Sequence, residues 1–219
     1  MWIFDQLIGI YYVQLPIRMT VIKLQETSGG GLFVYAPVAP TQECLDLLQP
    51  LIDAYGPVRF IVLPSVAVEH KVNAGPFARR FPRADFFAVD AQYSFPVSLP
   101  DQFLGLPTWT KPLPASSVEE MPGSSANSNA TLPWAGEFEH EVLTVRPGPA
   151  SAYQDAAFFH KPSKTLLVCD AVFAVDETPP AILTEIPEYV RALLFHARDE
   201  PLELVPDTPE ARKKGWQRV

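Results

Sequence analysis

Four histidines and two cysteines are the chain's whole supply of imidazole and thiolate ligands: His70, His140, His160, His196, Cys44 and Cys169. Two thiols set no disulfide framework and cannot form a thiolate zinc site alone. Cys169 follows an apolar run, but no basic group stands beside it in sequence to activate it as a nucleophile. Gly29-Gly30-Gly31 lacks the Lys and Ser/Thr of a phosphate-binding loop, and no Gly-x-Ser-x-Gly elbow exists for a hydrolase serine. What remains is a positional pattern. Glu69-His70 follows the run Val58–Leu63, Asp170 ends the run that starts at Thr165, and His196 closes Leu193-Leu194-Phe195. Side chains at such ends can converge above a sheet. Each also has a plain structural use: a strand-end Asp turns the chain, and His196 can sit in a core beside a local Arg198-Asp199 pair. His160, before a turn and next to Lys161, reads as a strand residue rather than a ligand, and His140 reads likewise.

These groups must be carried by short elements. The stretch 18–24 alternates like a half-buried strand, and the three glycines turn it into a second strand at 32–36. Thr41 is a good N-cap for a helix from Gln42 to Tyr55, stopped by Gly56-Pro57. Val58–Leu63 is continuously apolar, as in a strand buried on both faces. A short helix at 76–81 and a strand at 85–89 follow, then strands at 138–145, 156–160 and 165–168. Hairpins interleaved with strand–helix–strand units imply a mixed sheet with helices outside, in α/β or α+β layers. Thr208-Pro209-Glu210 starts a further helix by the N-cap and first-turn proline rules. That helix pattern still runs at Val219, so the piece is expected to be cut from a longer protein.

The 219 residues fit one domain, taken here as residues 1–219, with a proline- and serine-rich loop at about 107–133. Hydrophobic content of 47% against 19% charged residues excludes a disordered chain. A net charge of −8 argues against binding to nucleic acid, which needs clustered Lys and Arg to neutralise phosphate. The one basic cluster, Arg212-Lys213-Lys214 with Arg218, reads as a solvated face. No apolar run reaches the ~18 residues of a membrane span.

The order of elements resembles the metallo-β-lactamase superfamily, which implies the α+β class: an αββα sandwich of two mixed β-sheets flanked by helices. Its His-x-His-x-Asp-His motif aligns with Ser65-Val66-Ala67-Val68-Glu69-His70, and the stretch 165–170 resembles the strand whose final aspartate bridges two metals. More narrowly, Pro16-Ile17-Arg18-Met19-Thr20, Val68-Glu69-His70-Lys71, Gly75-Pro76-Phe77-Ala78, Phe159-His160-Lys161 and Phe195-His196-Ala197-Arg198-Asp199 resemble an uncharacterised metallo-β-lactamase-like family of photosynthetic microbes and plastids. The resemblance implies a cytoplasmic or stromal soluble protein. It also implies a degenerate metal site. Ser65 and Ala67 stand where two histidines belong, and a third would fall near Ser151. The ligands left map onto one metal position: Glu69, His70, Asp170 and His196. Two imidazoles and two carboxylates suit a single zinc, iron or manganese ion.

Two functions follow from that resemblance. One is a mononuclear metal-dependent hydrolase of an unknown small molecule. The other is an inactive scaffold that binds a protein partner through its aromatic, proline-rich parts, Phe103 to Trp134, and its amphipathic tail.

Overall fold

A computed structural model describes residues 1–10, 13–92, 99–117, 132–148 and 151–172, with residues 182 and 208–210. Nine strands and two α-helices follow one another as β1 (Trp2–Ile10), β2 (Val13–Lys23), β3 (Leu32–Tyr35), α1 (Gln42–Tyr55), β4 (Val58–Leu63), α2 (Val68–Arg80), β5 (Asp85–Ala88), β6 (Lys111–Pro112), β7 (Phe138–Gly148), β8 (Ser151–His160) and β9 (Thr165–Leu167). The fold is α+β with two sheets. Six strands hydrogen-bond in the order β1-β2-β3-β4-β5-β6, and three in the order β7-β8-β9.

The first sheet is mixed. β2 and β3 are antiparallel, whereas β3, β4, β5 and β6 run parallel to their neighbours. The second sheet departs from the expected mixed pairing, since β7-β8-β9 is antiparallel throughout. Short connections explain this. Lys161 to Lys164 is a tight turn, closed by the Lys164 N–H on the Lys161 carbonyl at 3.3 Å, and so short a link cannot reverse into a parallel neighbour.

Chain contacts divide the molecule into two compact units. One comprises Met1–Phe4 and Arg18–Phe173, and it holds both sheets' packed faces. The other comprises Asp5–Ile17 and Ala174–Val219; its described residues include most of β1, the start of β2, and helical backbone at 209 and 210, where the sequence starts a helix.

Within the larger unit the core lies between the sheets. Phe33, Tyr35, Phe60, Val62 and Phe87 from the first meet Phe138, Ala156, Phe158 and Leu167 from the second, with Trp134 among them. Trp134 sits edge-on to Phe33, Phe60 and Phe87, with centroids at 5.4, 5.1 and 4.8 Å, a favoured aromatic geometry. The alternate residues Val34, Ile61 and Phe86 are also fully buried, which is why β3 to β5 read as apolar runs rather than alternating ones.

Helix α1 has the bounds its caps dictate: the Thr41 hydroxyl accepts the Cys44 N–H at 3.2 Å, and Gly56 ends it. Helix α2 corrects the sequence expectation. It starts at Val68, not Pro76, and packs against β4. A proline after glycine looks like a first-turn residue, yet here it lies inside the helix, so Glu69 and His70 stand on the first helical turn instead of a loop. The strip 107–117 is also not a plain loop. Lys111–Pro112 forms the edge of the first sheet, where a missing proline N–H is harmless, and Leu113 is buried in the core. No helix among the described residues is long and apolar enough to cross a membrane.

Candidate metal centre

The site is assembled where the end of β4 becomes a partner of β8. Past β9, the Ala156 N–H donates to the Pro64 carbonyl at 2.8 Å and the Val66 N–H to the Gln154 carbonyl at 3.2 Å, setting Ser65 opposite Asp155. The chain then enters α2, whose first turn carries His70. From the other side, β9 delivers Cys169 and Asp170. Ligand atoms of His70, Cys169 and Asp170 all lie within 4.8 Å of one another.

The His70 Nε2 is 3.5 Å from the Asp170 Oδ1. In a tetrahedral zinc site with bonds of ~2.0–2.3 Å, neighbouring ligand atoms stand roughly 3.3–3.8 Å apart. The other His70 nitrogen, Nδ1, is buried and has no hydrogen-bond partner among the described residues. Nitrogen, sulfur and carboxylate oxygen together form a donor set that zinc or iron accepts, and three protein ligands leave a coordination position open.

Around this imidazole the chain gathers acids. Burial pushes the Asp155 carboxyl up, and the neighbouring Asp170 charge adds to it. Burial also drives the Cys169 thiol far up, reinforced by Asp170 and Asp155. The Tyr153 phenol rises for the same reasons, burial first and then Asp155 and Asp170. Asp170 moves the other way. Burial alone would raise it, but hydrogen bonds from His70 and Ser65 outweigh that and hold it below the usual carboxylate range. A cation placed among these groups would pull the raised Asp155, Tyr153 and Cys169 down and add to the hold on the Asp170 carboxylate.

Of the four residues expected as ligands, His70 and Asp170 meet. Glu69 is half-exposed on the same helical turn, outside the three-residue cluster, though its charge still bears on Cys169. His196 lies outside the described residues. Cys169, which the sequence discounts only as a nucleophile, joins the cluster here, where groups distant in sequence, Asp155 and Glu69 among them, bear on it. Asp155 had one visible signal: a charged residue in the otherwise uncharged run 151–159.

The remaining described histidines serve the structure. His140 Nε2 meets the Pro114 carbonyl at 2.9 Å, and its ring stacks on Phe158. His160 Nδ1 pairs with the Ser163 hydroxyl at 2.7 Å, and its Nε2 stands 3.9 Å from the Glu137 Oε2. Ser65, for its part, is fully buried and gives its one proton to the Asp170 carboxylate.

No curated protein matches the chain. Residues 1–219 match one family over their full length, and the chain belongs to that family, described as Domain of unknown function (DUF4336).

Proposed function

We propose that this protein is a divergent metallo-β-lactamase-like hydrolase that works with one divalent metal. The observation carrying this reading is the approach of ligand atoms of His70, Cys169 and Asp170 to within 4.8 Å of one another, at the junction of β4, α2, β8 and β9. A thiolate in the set favours zinc or iron over manganese. When bound, the metal supplies Lewis-acid polarisation of a substrate carbonyl or phosphoryl oxygen and activation of water. His70 would hold it through a ring nitrogen, Asp170 through Oδ1 and Cys169 through Sγ, with Glu69 and His196 the further candidates by resemblance. The αββα assignment and a stromal or cytoplasmic location belong to the same reading.

A second reading, an inactive scaffold, is favoured by Ser65 and Ala67. They stand where the resemblance calls for imidazoles, and Ser65 is fully buried with its hydroxyl engaged. Elemental analysis of protein purified without chelator or affinity metal, followed by ester and phosphodiester hydrolysis assays, decides. One equivalent of metal with turnover that Asp170→Ala abolishes supports the hydrolase. Bound metal without turnover supports the scaffold. Failure to bind zinc, iron or manganese under any loading condition overturns both the metal and the hydrolase.

A further inference from the structure

Asp170 is gripped from two sides. The Ser65 hydroxyl donates to Oδ2 at 2.7 Å, and the main-chain N–H of Asp170 donates to the Asp155 Oδ2 at 2.7 Å. Neither grip is loose. Ser65 is 0% exposed, and its oxygen also accepts the Ala67 N–H at 3.1 Å. The hydroxyl thus accepts from the Ala67 amide and gives its own proton to Asp170. Its carbonyl is held too, by the Gln92 side-chain amide at 3.3 Å. Asp155 is 2% exposed, and the same Oδ2 accepts the Tyr153 hydroxyl at 3.3 Å.

The consequence concerns which Asp170 oxygen is on offer. Oδ1 faces His70 at 3.5 Å. Oδ2 accepts the Ser65 hydroxyl proton. With Oδ2 engaged by the serine, the carboxylate is turned to present Oδ1 on the His70 side.

Resting on the single-metal reading above, we infer that Ser65 and Asp155 are positioning residues that turn Asp170 to offer Oδ1 on the His70 side and hold it there for the metal. The serine is then more than the trace of a lost ligand. At the motif position where the resemblance expects an imidazole stands a hydrogen-bond donor that orients the aspartate. Asp155 does the complementary job on the backbone, fixing where the carboxylate leaves the chain.

The test is titration of the purified full chain with zinc and with cobalt(II), read by calorimetry and by the cobalt spectrum. A near-ultraviolet thiolate-to-cobalt band reports Cys169, and the visible bands report coordination geometry. The wild-type chain should take one equivalent. Ser65→Ala and Asp155→Ala should each still take at most one, about 10–100-fold more weakly, the range seen when supporting partners of ligands are removed, with altered visible cobalt bands. Asp155→Asn, which keeps an oxygen for the Asp170 N–H, should restore affinity and spectrum. That variant keeps the test open should Ser65→Ala fail to fold, which thermal unfolding would reveal. Unchanged affinity and cobalt bands in both alanine variants, with one equivalent in the wild type, overturn the positioning role and leave the single-metal reading standing. A second tight equivalent in the wild type overturns the single-metal reading on which the role rests. No metal in the wild type overturns the reading beneath it.

Discussion

The Asp155 carboxylate accepts the main-chain N–H of Asp170 at 2.7 Å, so one acidic side chain holds the backbone that presents the other. Two carboxyl groups this close would repel if both were ionised and unpaired. The protein separates their chemistry by partners. Asp170 receives hydrogen bonds from Ser65 and His70 and stays an anion, while burial pushes Asp155 toward its protonated form.

Removing Asp170 should therefore empty the centre. Asp170→Ala is expected to carry no metal after dialysis against a weak competitor, whereas His160→Ala, whose ring bonds to Ser163 instead, should keep the wild-type content. Elemental analysis of both variants checks this. Unchanged metal in Asp170→Ala would sink the assignment.

His160 sets a pH dependence of stability. Burial holds its ring below the usual imidazole range, outweighing the upward pull of Glu137. A folded pKa below the unfolded value of about 6.5 means the unfolded chain binds the extra proton first, so stability falls as pH drops below that value. Comparing denaturant unfolding at about pH 7 and pH 5.5, the wild type should lose more stability than His160→Gln, the window following from that unfolded value. Equal losses would contradict the sign.

Helix α2 approaches the 99–106 segment so closely that a side chain at Gly75 would run into the Gly105 carbonyl oxygen, which also accepts the Arg79 guanidinium at 3.0 Å. Both groups are backbone-anchored and neither can swing aside. Gly75→Ala should cost about 1–3 kcal/mol of unfolding free energy, the usual penalty for overpacking. Because α2 also carries His70, metal affinity should weaken with it, measured by the same titrations.

Phe158 is the hinge of the inter-sheet core, with ring centroids 4.8 Å from His140, 5.6 Å from Tyr35 and 5.7 Å from Phe33. Phe158→Ala should destabilise by about 3–5 kcal/mol, the lost transfer energy plus the cavity left behind. Urea unfolding with an unchanged m-value would show that packing, and not the unfolded state, is responsible.

Local chemistry wrote much of this fold into the chain. Thr41 and Gly56 bound α1 because a cap satisfies helix ends from neighbouring residues, and the apolar run Val58–Leu63 became β4 unchanged. Turn residues placed the β8–β9 hairpin. Position 76 misled because the same proline rule serves a helix start and a tolerated interior site, and only the packing of α2 on β4 chose between them. β1 is not legible in the sequence because Trp2-Ile3-Phe4 and Leu7-Ile8 are consecutive apolar residues interrupted by Asp5-Gln6, with no period-two alternation. The site divides the same way. Residue type and strand-end position marked His70 and Asp170, which are properties of short segments. That Ser65 would donate to a carboxylate 105 residues away, and that Cys169 would join them, depended on β8 taking Pro64–Val66 as its partner beyond β9. Such a register is chosen by burying Phe33, Trp134 and Phe158 together, a long-range condition that no local spacing encodes.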